Sequence, residues 1–179
     1  MLYVIRHGQT DWNIQHRLQG RTDVPLNEEG RRAALLASHA NADVRFDVCF
    51  CSPLSRAHET ARLLLAGRSV PLLIDHRLQE MSFGTLEGKC ADGNPLVETF
   101  FHQPQDYLPP EGGESFAELF VRIGEFLDRQ VRPLLSAGKD VLVVAHGAAN
   151  SAIICQMRGL PLSEFWSAGL ANCHLIRVD

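Results

Sequence analysis

Val141-Leu142-Val143-Val144-Ala145, followed at once by His146-Gly147, decides how this 179-residue chain folds. Five apolar residues in unbroken series read as a strand buried on both faces, because a half-exposed strand would alternate polar and apolar positions. Gly138-Lys139-Asp140 turns the chain into this run. An apolar helix reaching about Met157 follows it, and Leu160-Pro161 breaks that helix. The N-terminal segment repeats the design, with Leu2-Tyr3-Val4-Ile5 running into Arg6-His7-Gly8. Two buried strands thus end in a His-Gly pair.

The segments between them alternate in type. Asn27 is a good N-cap, Glu28 and Glu29 suit the first turn of a helix, and Ala33, Ala34, Leu36 and Ala37 give it an apolar side. Phe46 to Cys51 reads as a second strand. Ser52-Pro53 then reads as the cap and first turn of a helix running to about Ala66. Residues 70–74 predict a third strand. The stretch 75–113 is rich in Gly and Pro, with a short helix expected around Leu96-Val97 and Phe100-Phe101. A stretch this long predicts a lid or a pocket wall. Residues 114–135 carry apolar positions at a helical period, and 172–178 alternate as a final edge strand. Strands alternating with helices predict a three-layer α/β/α sandwich. Its central sheet would be mostly parallel with one antiparallel edge strand, in a single domain over 1–179.

Composition narrows the function classes. A formal net charge of −4 argues against sequence-independent nucleic-acid binding, which needs a basic face. The five cysteines are odd in number and form no C-x-x-C pair, which fits a reducing compartment. The N-terminus lacks the pattern of a signal peptide, and the longest apolar run is far short of a membrane span. A cytoplasmic protein without membrane contact is expected.

In parallel sheets, ligands bind beyond the carboxyl ends of the strands. Arg6-His7-Gly8, Arg56 and His146-Gly147 all fall just past such ends. Arginine forks suit a phosphate dianion, and a helix start such as Gly147 adds backbone N–H groups. A neutral histidine attacks through one ring nitrogen while the other donates the hydrogen bond that fixes the ring. One of His7 and His146 could be the nucleophile, and the other, if protonated, could bind the transferring oxygens. An alkoxide leaving group needs a proton. Glu80 is the first candidate to supply it and Glu87 the second, though Glu87 reads better as structural.

The chain resembles the histidine phosphatase, or phosphoglycerate mutase-like, superfamily. Arg6-His7-Gly8-Gln9-Thr10-Asp11-Trp12-Asn13 is similar to its opening motif, and residues 18–30 to its second segment. Cys51-Ser52-Pro53-Leu54-Ser55-Arg56-Ala57 is similar to the segment carrying the second phosphate arginine, and residues 78–88 to the one carrying the general acid. Gly113-Glu114-Ser115 and Ala145-His146-Gly147 complete the series in family order. The resemblance implies that His7 becomes a phosphohistidine and that Arg6, Arg56 and His146 hold the phosphoryl group. It implies that Asn13 adds a hydrogen bond to that group, that Gln19 and Thr22 line the substrate side, and that Glu80 acts as general acid and then base. It implies no metal and no cofactor, with a small phosphorylated metabolite as the partner.

The family holds both mutases and phosphatases. The short segment between Gly88 and Gly113, and a chain ending after the last strand, favour a phosphatase with a water-accessible site, resembling the α-ribazole phosphatase branch and its broad-specificity relatives. Phosphoglycerate mutase-type transfer is the alternative, and a non-catalytic phosphate-ligand binding module is a third reading. A cysteine phosphatase needs a C-x5-R loop, and Cys51-x4-Arg56 is one residue short. The remaining histidines, His16, His39, His58, His76, His102 and His174, read as surface or packing residues, with His102 facing substrate only if its loop closes. Phe83, Phe100, Phe101 and Tyr107 read as core more than as pocket, and Phe83, Phe100 and Tyr107 would favour a bulky or apolar leaving group where they face it.

Overall fold

The computed structural model describes residues 1–178. Strands β1 (Leu2–Arg6), β2 (Val48–Cys51), β3 (Leu72–Ile74), β4 (Val141–Ala145) and β5 (Leu175–Arg177) form one sheet in the order β3-β2-β4-β1-β5. The first four run parallel, and β5 pairs antiparallel with β1 at the edge. The helices are α1 (Asp11–Ile14), α2 (Glu28–Ala40), α3 (Ser55–Leu64), α4 (Pro95–His102), α5 (Phe116–Phe126), α6 (Arg132–Ser136) and α7 (Gly147–Arg158). Among the described residues, no helix is long and apolar enough to cross a membrane.

The period-two alternation of strand side chains builds two cores. Leu2, Val4, Phe50, Val141 and Val143 point to one face, where Leu119 and Ile123 of α5 and Ala149 and Ala152 of α7 cover them. Tyr3, Ile5, Cys49, Cys51, Leu142 and Val144 point to the other, against Ala37 of α2 and Ala57, Ala61 and Leu64 of α3. The expected sandwich is therefore present.

Three local readings need correction. The long helix expected over 114–135 begins after Ser115, whose side chain forms a reciprocal cap with Glu118. It then widens into a π-turn at Leu127–Val131 before α6. Pro133 supplies the reason, since it lacks an N–H and its ring clashes with the carbonyl four residues back. The edge strand is shorter than 172–178, because Cys173 takes a left-handed φ of 55° that no strand accommodates. Ser52 is not the cap of α3: the helix starts at Ser55, whose N–H is capped from a distance by Asp23 Oδ1 at 2.8 Å. The short helix expected near 96–101 is α4.

Candidate active site

Strand register assembles the site. Arg6 lies beside Ala145, and Cys51 beside Val144, so the residues after β1, β4 and β2 emerge side by side. The ladders run one step past the strands, with His7 N–H donating to the Ala145 carbonyl and Ser52 N–H to that of Val144. The rings of His7 and His146 thus stand 5.1 Å apart between centroids.

His7 is buried, and its Nδ1 lies 2.7 Å from the Gly8 carbonyl oxygen. A carbonyl only accepts, so Nδ1 carries the proton and Nε2 of the neutral ring keeps its lone pair. Gly8 is itself fixed, its N–H donating to Thr60 Oγ1 at 2.9 Å while Asn172 donates to the His7 carbonyl at 2.6 Å. Glycine is required here for packing: a Cβ on Gly8 would stand 2.5 Å from the Gly30 carbonyl at the start of α2. Burial, with the Arg56 and Arg6 charges adding to it, holds His7 well below the ordinary histidine range. The ring is neutral at neutral pH.

His146 is fully buried and is held low by the same burial, then by Arg56, His7 and Arg6. In the free site it is neutral rather than cationic; a bound dianion would reverse the local field and favour its proton. Its Nε2 lies 2.8 Å from Ser52 Oγ, and its Nδ1 is buried without a partner.

The two arginines converge from different elements. Arg56, in the first turn of α3, is completely buried. It donates to the carbonyls of Thr22 at 2.8 Å and Gly20 at 2.7 Å, and its Nε has no partner. Burial pushes its guanidinium down to about 10, against the attraction of Glu80, Asp23 and Glu87. Arg6 donates to the Leu170 carbonyl at 3.1 Å, and its buried Nε is also unpartnered. Neither forms an ion pair among the described residues; Glu59, three residues beyond Arg56 on α3, binds Arg31 instead. Buried guanidinium groups without a carboxylate are costly unless an anion joins them.

Glu80 closes the other side. Its Oε1 accepts from Met81 N–H at 2.9 Å and Ala149 N–H at 3.2 Å, and its Oε2 from Ala148 N–H at 3.2 Å. It sits on the positive end of α7. Gly147 leaves room there, since a Cβ would lie 3.6 Å from Glu80 Oε2 and 3.9 Å from Arg6 Nε, inside the cradle. Arg122 steadies the Glu80 loop, donating to the Gln79 carbonyl at 2.8 Å and the Arg77 carbonyl while Glu114 grips it at 2.6 and 2.8 Å.

A cavity of about 280 Å³ opens onto these groups. Arg6, His7, Asn13, Gln19, Arg56, Glu80 and Gly147 line it, while His146 lies just beneath. Asn13 Oδ1 is taken up by the Thr10 N–H at 3.0 Å, which leaves its amide NH2 as the group able to donate to a ligand. Gln19 presents an unpartnered Oε1. Thr22 is not brought to the cavity: its hydroxyl is 2.5 Å from Glu87 Oε2. Glu87 also accepts from the N–H groups of Arg21, Thr22 and Phe83, so it ties two loops together and has no free acid role. His102 faces away, 3.4 Å from Glu98 on its own helix. The stretch 89–110 contributes a wall, through Ala91, Asp92, Phe100 and Phe101. Ser52, Thr60, Asn172, Trp12 and Trp166 are participants that sequence reasoning missed. Trp12 and Ser52 stood inside quoted motifs; the others carry no local signal.

The model of the histidine phosphatase superfamily (branch 1) matches residues 2–179. A 2,3-bisphosphoglycerate-dependent phosphoglycerate mutase of Gloeobacter violaceus is 37% identical over 180 residues, covering 97% of this chain and 82% of that protein. The solved structure of a putative α-ribazole-5'-P phosphatase from Escherichia coli superposes with a TM-score of 0.79 at 31% identity, covering 93% of this chain and 83% of that one. A mycobacterial glucosyl-3-phosphoglycerate phosphatase superposes with a TM-score of 0.81 at 29% identity, covering 97% and 90%.

Proposed function

This chain belongs to branch 1 of the histidine phosphatase superfamily, and on that premise we propose that it hydrolyses small phosphate monoesters through a phosphohistidine at His7. The observation that carries this reading is the His7 ring. Its Nδ1–H is held by the Gly8 carbonyl, so its Nε2 lone pair is free beside the buried Arg56 and the half-buried Arg6, neither of which has a carboxylate partner.

In the first half-reaction Nε2 attacks phosphorus and the bond to the ester oxygen breaks. Arg6, Arg56, His146 and Asn13 donate to the three equatorial oxygens, whose charge they meet without reorganising. Glu80, entering the step as the acid, passes its proton to the departing alkoxide. The phosphorylated imidazole keeps Nδ1–H, and the Gly8 carbonyl stabilises its positive charge. In the second half-reaction the Glu80 carboxylate takes a proton from water. The hydroxide attacks phosphorus, the Nε2–P bond breaks, and inorganic phosphate leaves with the His7 lone pair restored.

Phosphoryl transfer to a second hydroxyl is the other reading, favoured by the mutase relative at 37% identity. It shares the first half-reaction. Incubation of 3-phosphoglycerate in H2-18O, with and without a bisphosphoglycerate primer, tests the choice. Release of phosphate carrying one solvent oxygen is expected. Isomerised phosphoglycerate with no free phosphate would select the mutase, and saturable binding without turnover would select a binding module.

A further inference from the structure

Beyond the phosphoryl cradle, the cavity changes character. Its outer half is lined by Trp12, Leu18, Phe83, Phe100, Phe101 and Trp166. Both tryptophans of the chain are among them. Resting on the phosphatase reading above, we infer that the substrate is the phosphate monoester of a small, uncharged, apolar or aromatic alcohol. Its leaving group lies between Trp12 and the Phe101–Trp166 wall.

This wall is closely packed and carries no free donor. Phe100, Phe101 and Trp166 stand about their mutual contacts at 5.0 Å between centroids, and Phe83 meets Phe100 at 5.2 Å. The Trp166 indole N–H already donates to the Phe100 carbonyl at 2.9 Å, so what it offers a ligand is carbon surface. On the opposite side the Trp12 ring rests over Gly88, at φ 78°, where a Cβ would come within 3.1 Å of its Cη2. An apolar group entering this slot finds a surface already ordered, which lowers the entropic penalty of binding.

The rim carries one arginine and one acid, and so offers a second anion no net attraction. His16 and Asp92 face each other at 3.0 Å, and Arg17 donates to the Gly88 carbonyl at 3.3 Å. A carboxylate or second phosphate on the leaving group would meet Asp92 as well as Arg17. Volume sets a further limit: about 280 Å³ lies just below the ~300–1,000 Å³ usual for small-molecule clefts.

The test compares esters that all expel an alkoxide: 2-phenylethyl phosphate, glycerol 3-phosphate and 3-phosphoglycerate. The first is expected to exceed the others in kcat/KM by about 10–100-fold, the range that apolar pocket contacts command. Phe101 is 43% exposed, so Phe101→Ser should leave the fold intact. It should narrow the ratio mainly through KM for the phenylethyl ester. Binding is read separately by tryptophan fluorescence with 2-phenylethylphosphonate, which should bind at least about tenfold more tightly than propylphosphonate. Equal kcat/KM values, a preference for 3-phosphoglycerate, or equal phosphonate affinities would overturn the assignment. Absence of phosphate release from every ester would instead remove the phosphatase reading, with the phosphonate titration still deciding the pocket's preference.

Discussion

Replacing Arg56 by Met separates what this residue does for folding from what it does for a ligand. Its guanidinium is completely buried and is pushed down to about 10, well below the usual arginine range, which amounts to about 3 kcal/mol of charge held against solvation. The sign is that of a base lowered by folding, so this cost is present at every pH below about 10. Met removes it. Met also removes two hydrogen bonds, to the Gly20 and Thr22 carbonyls, worth about 1.5–3 kcal/mol each. The balance is a loss between zero and about 3 kcal/mol, or a Tm lower by at most ~12 °C for a chain of this size. Activity should fall much further, by about 10²–10³ in kcat/KM, as for loss of one oxyanion donor. Arg122→Met supplies the contrast, because it takes from the buried Glu114 carboxylate its two shortest hydrogen bonds, leaving only the more exposed Arg21 at 3.2 Å, and drops those to the Arg77 and Gln79 carbonyls; it should cost about 3–5 kcal/mol. Differential scanning fluorimetry with and without 10 mM phosphate, beside initial rates, reads both quantities. Phosphate should raise the Tm of the wild type and scarcely that of Arg56→Met. If Arg56→Met unfolds the protein as readily as Arg122→Met, or retains wild-type kcat/KM, Arg56 is a structural pillar and not an anion receptor.

Glu80→Gln should slow alkyl esters by about 10²–10⁴ while sparing p-nitrophenyl phosphate, whose leaving group needs little protonation; equal slowing of both substrates would remove Glu80 from proton transfer. Glu87→Gln should lose about 2–3 kcal/mol of stability, because one amide oxygen cannot serve the donors that two carboxylate oxygens accept. The dependence of its rate on leaving group should match the wild type in a linear free-energy plot. His7 and His146 both lie below their ordinary value of 6.5, so the unfolded chain binds more protons than the folded one below that pH. Their stabilising share is full above 6.5 and is lost as pH falls through it. Tm should therefore drop from about pH 7 to pH 5, and drop less in His146→Gln, when followed by circular dichroism; an equal or larger drop in the variant would contradict this.

The sheet was legible because β1 and β4 are unbroken apolar runs, and such runs have few alternatives to a central parallel strand. The same runs made Arg6, His7 and His146 visible, since a polar group directly after a buried strand stands at the sheet's carboxyl edge. Arg56 was legible from its place in a first helical turn, where a cation opposes the macrodipole. Ser52 misled, because a Ser before Pro has the pattern of a cap, whereas its hydroxyl is engaged by His146 across the sheet. Thr22 misled for a similar reason: its nearness to Gln19 says nothing of the Glu87 carboxylate that claims its hydroxyl. Thr60, Asn172 and Trp166 act only through tertiary contacts with Gly8, His7 and Phe100. Phe83, Phe100 and Phe101 read as core more than as pocket because they are hydrophobic, and periodicity cannot tell a core face from a pocket face.

Because Gly8 holds Nδ1–H of His7, phosphate can enter that ring only at Nε2. Enzyme mixed with a phosphate ester, quenched in base within milliseconds and digested, should yield one acid-labile phosphopeptide containing His7. Its two-dimensional ³¹P–¹H NMR should place phosphorus on Nε2. Phosphorus on Nδ1, on His146 or on any other side chain, or a turnover-competent enzyme that never acquires the label, would contradict the mechanism.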